Sequence, residues 1–175
     1  MKKIFIALIL GCFCLTVWSQ EKPGRFTFDI KGGFTIPFQY NKGILLGADV
    51  SHYRQDRMLS IGYAYMEEFT IWTSSDYVLQ QIDLLYGKQW NYKIVALQIL
   101  GGVGPVWGNR QIDSEMENYF TAGLFLKAGY TLIPIKFAGL KTSVELNLNV
   151  KNPVLLLTAG LTFGKVRNYQ ADLRP

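Results

Sequence analysis

The residues of this chain that could do chemistry are few. His52 is the only histidine, and so the only side chain whose ordinary titration suits it to general acid–base work near neutral pH; beside a carboxylate it could serve a lipid acyltransferase or deacylase. Cys12 and Cys14 are the only thiols. Asp113, Glu115 and Glu117 alternate in a polar stretch and could hold a divalent cation or a partner, although spacing of this kind commonly does no more than keep a loop solvated. Gly101-Gly-Val-Gly-Pro105 has the glycines of a phosphate loop, but it sits inside a strand-like stretch and opens no helix, so its glycines read as room for bulky neighbours. A further set is ionic: Asp29, Lys31, Asp49, Asp83, Lys127, Lys141 and Glu145.

Which of these groups can act depends on the elements that carry them. Met1-Lys2-Lys3 leads into an uncharged apolar run from Ile4 to Trp18. A basic start, an apolar stretch and small residues before the cut define a secretory signal peptide over residues 1–19, with export of Sec type and Gln20 as the new terminus. Ile9-Leu-Gly-Cys12 resembles a lipoprotein box, but the apolar run continues to Trp18 and would leave a greasy mature end. Both cysteines then leave with the leader, and the exported chain has no thiol for a disulfide, a metal or a nucleophile. The formal charge of +5 falls to about +3 with the loss of Lys2 and Lys3, which gives no case for nucleic acid. Residues 20–175 amount to one domain, and no later segment is apolar for long enough to form a membrane-spanning helix.

The exported part alternates. Phe26, Phe28 and Ile30 oppose Thr27, Asp29 and Lys31; Ile44, Leu46, Ala48 and Val50 oppose Gly47, Asp49 and Ser51; and the stretch Leu140 to Val150 has Lys141, Ser143, Glu145, Asn147 and Asn149 at every odd position. A period of two is the mark of a strand with two unlike faces. Strands are expected from Arg25 to about Pro37, Ile44 to Arg54, Met58 to Met66, Tyr77 to Gln89, Ile94 to Val106, Tyr119 to Leu132, Leu140 to Val150 and Leu155 to Phe163. Ile133-Pro-Ile135 should break the sixth. Long loops are expected at Glu67–Asp76 and Trp107–Asn118, with tight turns at Arg54–Arg57, Trp90–Lys93 and after the sixth strand. An even number of strands with alternating short and long connections fits an all-β, eight-stranded antiparallel up-and-down transmembrane β-barrel, with both chain ends on the side of the short turns.

The same alternation would fit a soluble periplasmic lipocalin-like barrel, which keeps an apolar lumen for its ligand. Charge decides between them. A lysine held in mid-membrane against lipid costs ~2–4 kcal/mol, so in a membrane the ionic residues must face in, where eight strands leave an interior just filled by side chains. The expected result is a closed lumen with an ionic network of Asp29, Lys31, Asp49, Asp83, Lys127, Lys141 and Glu145, in which Asp29 and Lys31 face Asp49, and Lys127 faces Lys141 and Glu145. Tyr40, Tyr63, Tyr65, Trp90, Tyr92, Trp107, Tyr119 and Phe120 stand near strand ends, where membrane barrels carry aromatic girdles.

Three stretches carry a resemblance: Tyr77-Val-Leu-Gln-Gln-Ile-Asp-Leu-Leu-Tyr86, Gly101-Gly-Val-Gly-Pro105 and Ala159-Gly-Leu-Thr-Phe163. With them the mature chain resembles the small eight-stranded bacterial outer-membrane barrels of OmpX and OmpA plan and, in texture, the PorT-like outer-membrane β-barrel proteins. The resemblance implies residence in the outer membrane, contact with its lipid, and handling by the barrel-assembly machinery, which reads the aromatic end of the last strand. Here Gly164–Pro175 follows Phe163 as a short periplasmic tail. Proteins of this plan include anchors, adhesins and enzymes, so the plan implies no single activity. His52 falls on the lipid side with Val50, near the turn at Arg54, whereas barrel enzymes of lipid A act at the outer leaflet. The chain therefore reads as a non-enzymatic structural, anchoring or surface-interaction protein without cofactor, its external partner to be met by Glu67–Asp76 and Trp107–Asn118.

Overall fold

The computed structural model describes residues 25–38, 42–68, 77–92, 94–112, 115–135 and 137–164. The expected signal peptide and the tail beyond Gly164 lie outside them, as do Tyr40, Asp113 and all of the third connection after Glu68. Eight strands follow one another: β1 (Arg25–Pro37), β2 (Gly43–Arg54), β3 (Arg57–Glu68), β4 (Tyr77–Tyr92), β5 (Val95–Ile112), β6 (Glu115–Ile135), β7 (Ala138–Asn149) and β8 (Val154–Gly164). Each pairs antiparallel with its neighbours in sequence, and β1 pairs with β8 from Thr27 opposite Gly164 to Pro37 opposite Val154, so the sheet closes on itself. Closure leaves no central strand edge without a partner, the condition for backbone in hydrocarbon.

Local chemistry sets the connections. Arg54 and Arg57 face each other across a two-residue turn in which Gln55 takes the left-handed region at φ 59°, the conformation that tight hairpins require. The Asp56 carbonyl accepts a hydrogen bond from the Gln89 amide at 2.8 Å, tying this turn to β4. In β5, Pro105 lacks a donor, and the β4–β5 ladder skips from Gln81 opposite Val106 to Leu84 opposite Val103.

Four strands are longer than their alternation implies, β3 among them, which runs on through Glu67 to Glu68 where the sequence predicts the start of a loop. Trp107–Asn118 is a continuation of the β5–β6 hairpin and not a loop, with Trp107 opposite Phe120, Arg110 opposite Glu117 and Ile112 opposite Glu115. Polar residues such as Asn109, Arg110, Gln111, Glu115, Glu117 and Asn118 hide the pairing in the sequence. β4 runs on through Trp90 to Tyr92, and β5 starts at Val95. Pro134 does not break β6. The strand continues to Ile135, and its register against β7 shifts by one residue between Leu132 and Ile135, a bulge that accommodates the missing amide.

Glycines on β5 separate the two faces sharply. A methyl group added at Gly102 would run into the backbone of Leu84 and Leu85, whereas at Gly101, on the outward face, its nearest neighbour is a Leu126 side-chain atom at 3.5 Å. Gly102→Ala should therefore lower stability by about 1–3 kcal/mol through overpacking, and Gly101→Ala should change it by less than about 0.5 kcal/mol. Urea midpoints for loss of the compact gel band check this, and equal midpoints for the two variants would contradict the register.

Candidate functional site

All seven ionic residues point into the barrel, each at most 7 % exposed, because each sits at the inward parity of its strand. Asp49 on β2 is the hub. Lys31 of β1 donates to its Oδ1 at 2.7 Å, and Lys127 of β6 donates to its Oδ2 at the same distance from across the lumen. Glu145 of β7 lies 3.6 Å from Lys127 and 3.8 Å from Lys31, and accepts a 2.6 Å hydrogen bond from Gln81 Nε2. The polar chain continues toward the far rim: Asn147 Nδ2 donates to Gln81 Oε1 at 2.6 Å, and Asn149 donates to Asn147 Oδ1 and to the Asn152 carbonyl. A buried charge is best tolerated when paired and hydrogen-bonded, and Asp49, Lys31 and Lys127 are both.

Two pairings differ from the strand-neighbour expectation. Lys141 does not join Lys127 and Glu145; it pairs with Asp29 of β1, reaching past β8. Gly160 stands opposite both Lys141 and Lys31 and adds no side chain to the space between them. A long lysine on one strand reaches a carboxylate two strands away more readily than it folds back along its own strand. Asp83 is the second difference. It is fully buried, and neither of its carboxylate oxygens has a hydrogen-bond partner among the described residues. It approaches Asp49 over Gly62, where an added methyl group would overlap both carboxylates.

The lumen is not only polar. Leu45, Met58, Met66, Leu79, Leu85, Leu100, Val106, Phe125 and Leu156 are buried on the same inward face, above and around the ions. Sequence alternation missed them. Their signal was the run of consecutive apolar residues in one strand, as in Leu84-Leu85, Ile99-Leu100, Leu124-Phe125-Leu126 and Leu155-Leu156-Leu157, which marks a strand packed on both faces. Beside Asp29, Lys31, Asp49 and Lys141 remains a void of about 10 Å³, the room of roughly one water.

The outward face is the reverse. Phe28, Ile30, Leu46, Val50, Ile61, Leu84, Ile99, Val103, Leu124, Leu126, Val144, Leu157 and Leu161 are exposed, and no charged residue stands among them at mid-strand. Trp90, Tyr92 and Phe120 face out toward strand ends, whereas Tyr63 faces out at the middle of β3 and Tyr119 turns inward and is buried, so these two belong to no girdle. His52 faces out beside Phe26, ring centroids 4.7 Å apart, and among the described residues no carboxylate forms an ion pair with it. Among the described residues no three His, Cys, Asp or Glu side chains group so as to hold a metal ion. Glu117 lies 3.7 Å from Lys151, and the side chains of Asp113 and Glu115 lie outside the described residues.

No family model matches the sequence, and no curated protein is detectably similar to it; the PorT-like resemblance is thus not matched at the family level. Solved structures are similar in fold. Neisserial surface protein A superposes with a TM-score of 0.64 at 12% identity, over 80% of this chain and 96% of that one. Ail, the attachment invasion locus protein of Yersinia pestis, gives 0.59 at 13%, over 81% and 97%. The N-terminal β-barrel domain of Pseudomonas aeruginosa OprF gives 0.54 at 15%, over 81% and 98%. At such identities the likeness concerns fold alone, and with the apolar exterior and ionic interior it makes this chain an eight-stranded antiparallel transmembrane β-barrel.

Proposed function

We propose that the chain is an integral outer-membrane barrel with a sealed, ion-paired lumen, which anchors and presents the β5–β6 hairpin outside the cell. The observation that carries the reading is the inverted polarity: lysines and carboxylates inside, contiguous aliphatic surface outside. A soluble lipocalin-like barrel needs the opposite arrangement. An enzyme needs His52 within reach of a carboxylate and a substrate, and its neighbours are Phe26 and the apolar exterior.

The hairpin supports a surface role. β7 ends at Asn149, opposite Gly123, so β6 from Glu115 to Ala122 pairs with β5 alone and extends roughly 27 Å along the strand beyond the end of β7 at ~3.4 Å per residue. Phe120 is 75% exposed and Met116 53%. Ail, similar in fold, bears attachment and invasion in its name and has been crystallised with the heparin analogue sucrose octasulfate. Attachment through an outer hairpin is the corresponding role here. The other segment that the sequence offers to a partner, Glu67–Asp76, lies outside the described residues after Glu68.

Cell fractionation tests the reading. The protein should partition with the outer membrane and migrate faster on gels before boiling than after; recovery from the soluble periplasm without that shift would overturn it. In planar bilayers it should show no steady large conductance, and a stable porin-like current would refute the seal.

The ionic network makes a second, graded expectation. Asp49→Ala strands two buried lysines with only the longer contacts to Glu145, and should cost about 3–5 kcal/mol. Asp83→Asn removes a buried charge that holds no hydrogen-bond partner, and should be neutral or stabilising. Unfolding midpoints in guanidinium measure both. If Asp83→Asn proves as damaging as Asp49→Ala, Asp83 is a member of the network and not its surplus charge.

A further inference from the structure

At the rim formed by the short turns, β2, β3 and β4 place three cations in one outward row. Arg54 stands directly opposite Arg57, and Arg57 directly opposite Lys88. All three are exposed. Like charges opposite one another on neighbouring strands repel, so the sheet would disperse them unless something outside compensates. Among the described residues the compensation is slight: Lys88 lies 3.5 Å from Asp56, and no ion pair joins Arg54 or Arg57. The rim is also held in shape, by the two-residue turn at Gln55–Asp56 and the Asp56 carbonyl bound to the Gln89 amide.

The row has a particular setting. One step toward the barrel's middle, the outward residues are Phe26, His52, Leu59 and Tyr86, consecutive across β1 to β4, and Trp90 follows Lys88 on β4. Aromatic and aliphatic residues of this kind lie at the boundary between hydrocarbon and headgroups. The cations thus stand at the depth of lipid phosphates, over a surface that acyl chains cover. Two guanidinium forks side by side match the oxygens of a phosphate.

We propose that Arg54, Arg57 and Lys88 form a binding site for the phosphate of an acidic glycerophospholipid in the leaflet on the short-turn side. The site rests on the membrane insertion proposed above and not on the sealed lumen. Lipid, and not free phosphate, is the source, because the aromatic and aliphatic row beneath the cations would otherwise lie uncovered. An acidic headgroup such as phosphatidylglycerol brings its phosphate charge uncompensated to all three cations, whereas a zwitterionic headgroup would set its own ammonium against the third.

The test uses the full mature chain, refolded and freed of lipid in a zwitterionic detergent, then equilibrated with equal amounts of phosphatidylglycerol and phosphatidylethanolamine. The bound lipids are counted by native mass spectrometry. Wild type should retain phosphatidylglycerol preferentially. Each cation near a membrane surface contributes on the order of a fivefold preference, so Arg54→Gln with Arg57→Gln should reduce the enrichment by roughly twentyfold, and Lys151→Gln at the opposite rim should leave it unchanged. An unchanged enrichment in the double variant, or an equal fall in Lys151→Gln, overturns the site. Loss of the enrichment on adding millimolar inorganic phosphate overturns the lipid as its ligand. The heat-dependent gel shift of the same samples reports separately on the barrel, so failure of the site and failure of the membrane reading give different results.

Discussion

The pairing of β1 with β8 is the contact on which everything else depends. It joins residues more than 110 positions apart, Pro37 with Val154 and Thr27 with Gly164 among them, and until it forms, two strand edges and every inward charge are open to the surroundings. In water that is tolerable. In hydrocarbon each unpaired amide or carbonyl costs several kcal/mol, so closure and insertion must be coupled. The composition of the two strands suits closure, since β8 presents Thr158, Gly160 and Thr162 inward, and β1 presents Thr27, Asp29, Lys31 and Gly33. These are small or flexible groups that admit the long side chains arriving from the other wall.

Closure then fixes how the charges are paired. Asp49 is reached from its neighbour strand by Lys31 and from the far wall by Lys127, and Lys141 meets Asp29 around β8. Those cross-lumen contacts exist only in the closed form. They work as a check on register, because a slip of one residue would turn the lysines and carboxylates of the slipped strand to the outside, where the cost per lysine is ~2–4 kcal/mol. Ionic groups in this lumen specify the barrel more than they strengthen it, as buried pairs generally return little net stability.

Much of this was legible in the sequence, and for a physical reason. Two-residue alternation from Arg25 to Lys31 in β1 and along β7 announced those strands and their faces, and each of the seven charged residues stands at the inward parity of its strand. Three things were not legible. The outer half of the β5–β6 hairpin looks like a loop, since Asn109-Arg-Gln111 and Glu115-Met-Glu-Asn118 carry no apolar and polar alternation that would mark a strand. Pro134 read as a terminator, because its missing amide is evident and the bulge that absorbs it is tertiary. The partner of Lys141 could not be read either, since strand adjacency describes neighbours along the wall whereas a lysine in a narrow lumen selects among all walls.

The apolar residues inside the lumen add a constraint that the ions alone would not impose. Were the interior filled by lysines and carboxylates only, water could enter between them and a thread of solvent could join the two rims. Instead Leu45, Leu85, Leu100, Phe125 and Leu156 cluster in the same lumen, with Leu100 opposite Lys127 and Leu156 opposite Glu145, and near Asp29 and Lys141 the free space is that of about one water. Packing at this density makes each ion pair depend on its neighbours' volume, as Gly62 shows by leaving room for two carboxylates that a methyl group would separate. Conduction would then require displacement of side chains held by both ion pairing and packing, which directs the search for function away from the lumen and toward the surfaces the barrel holds in place, the rising hairpin at one end and the basic row at the other.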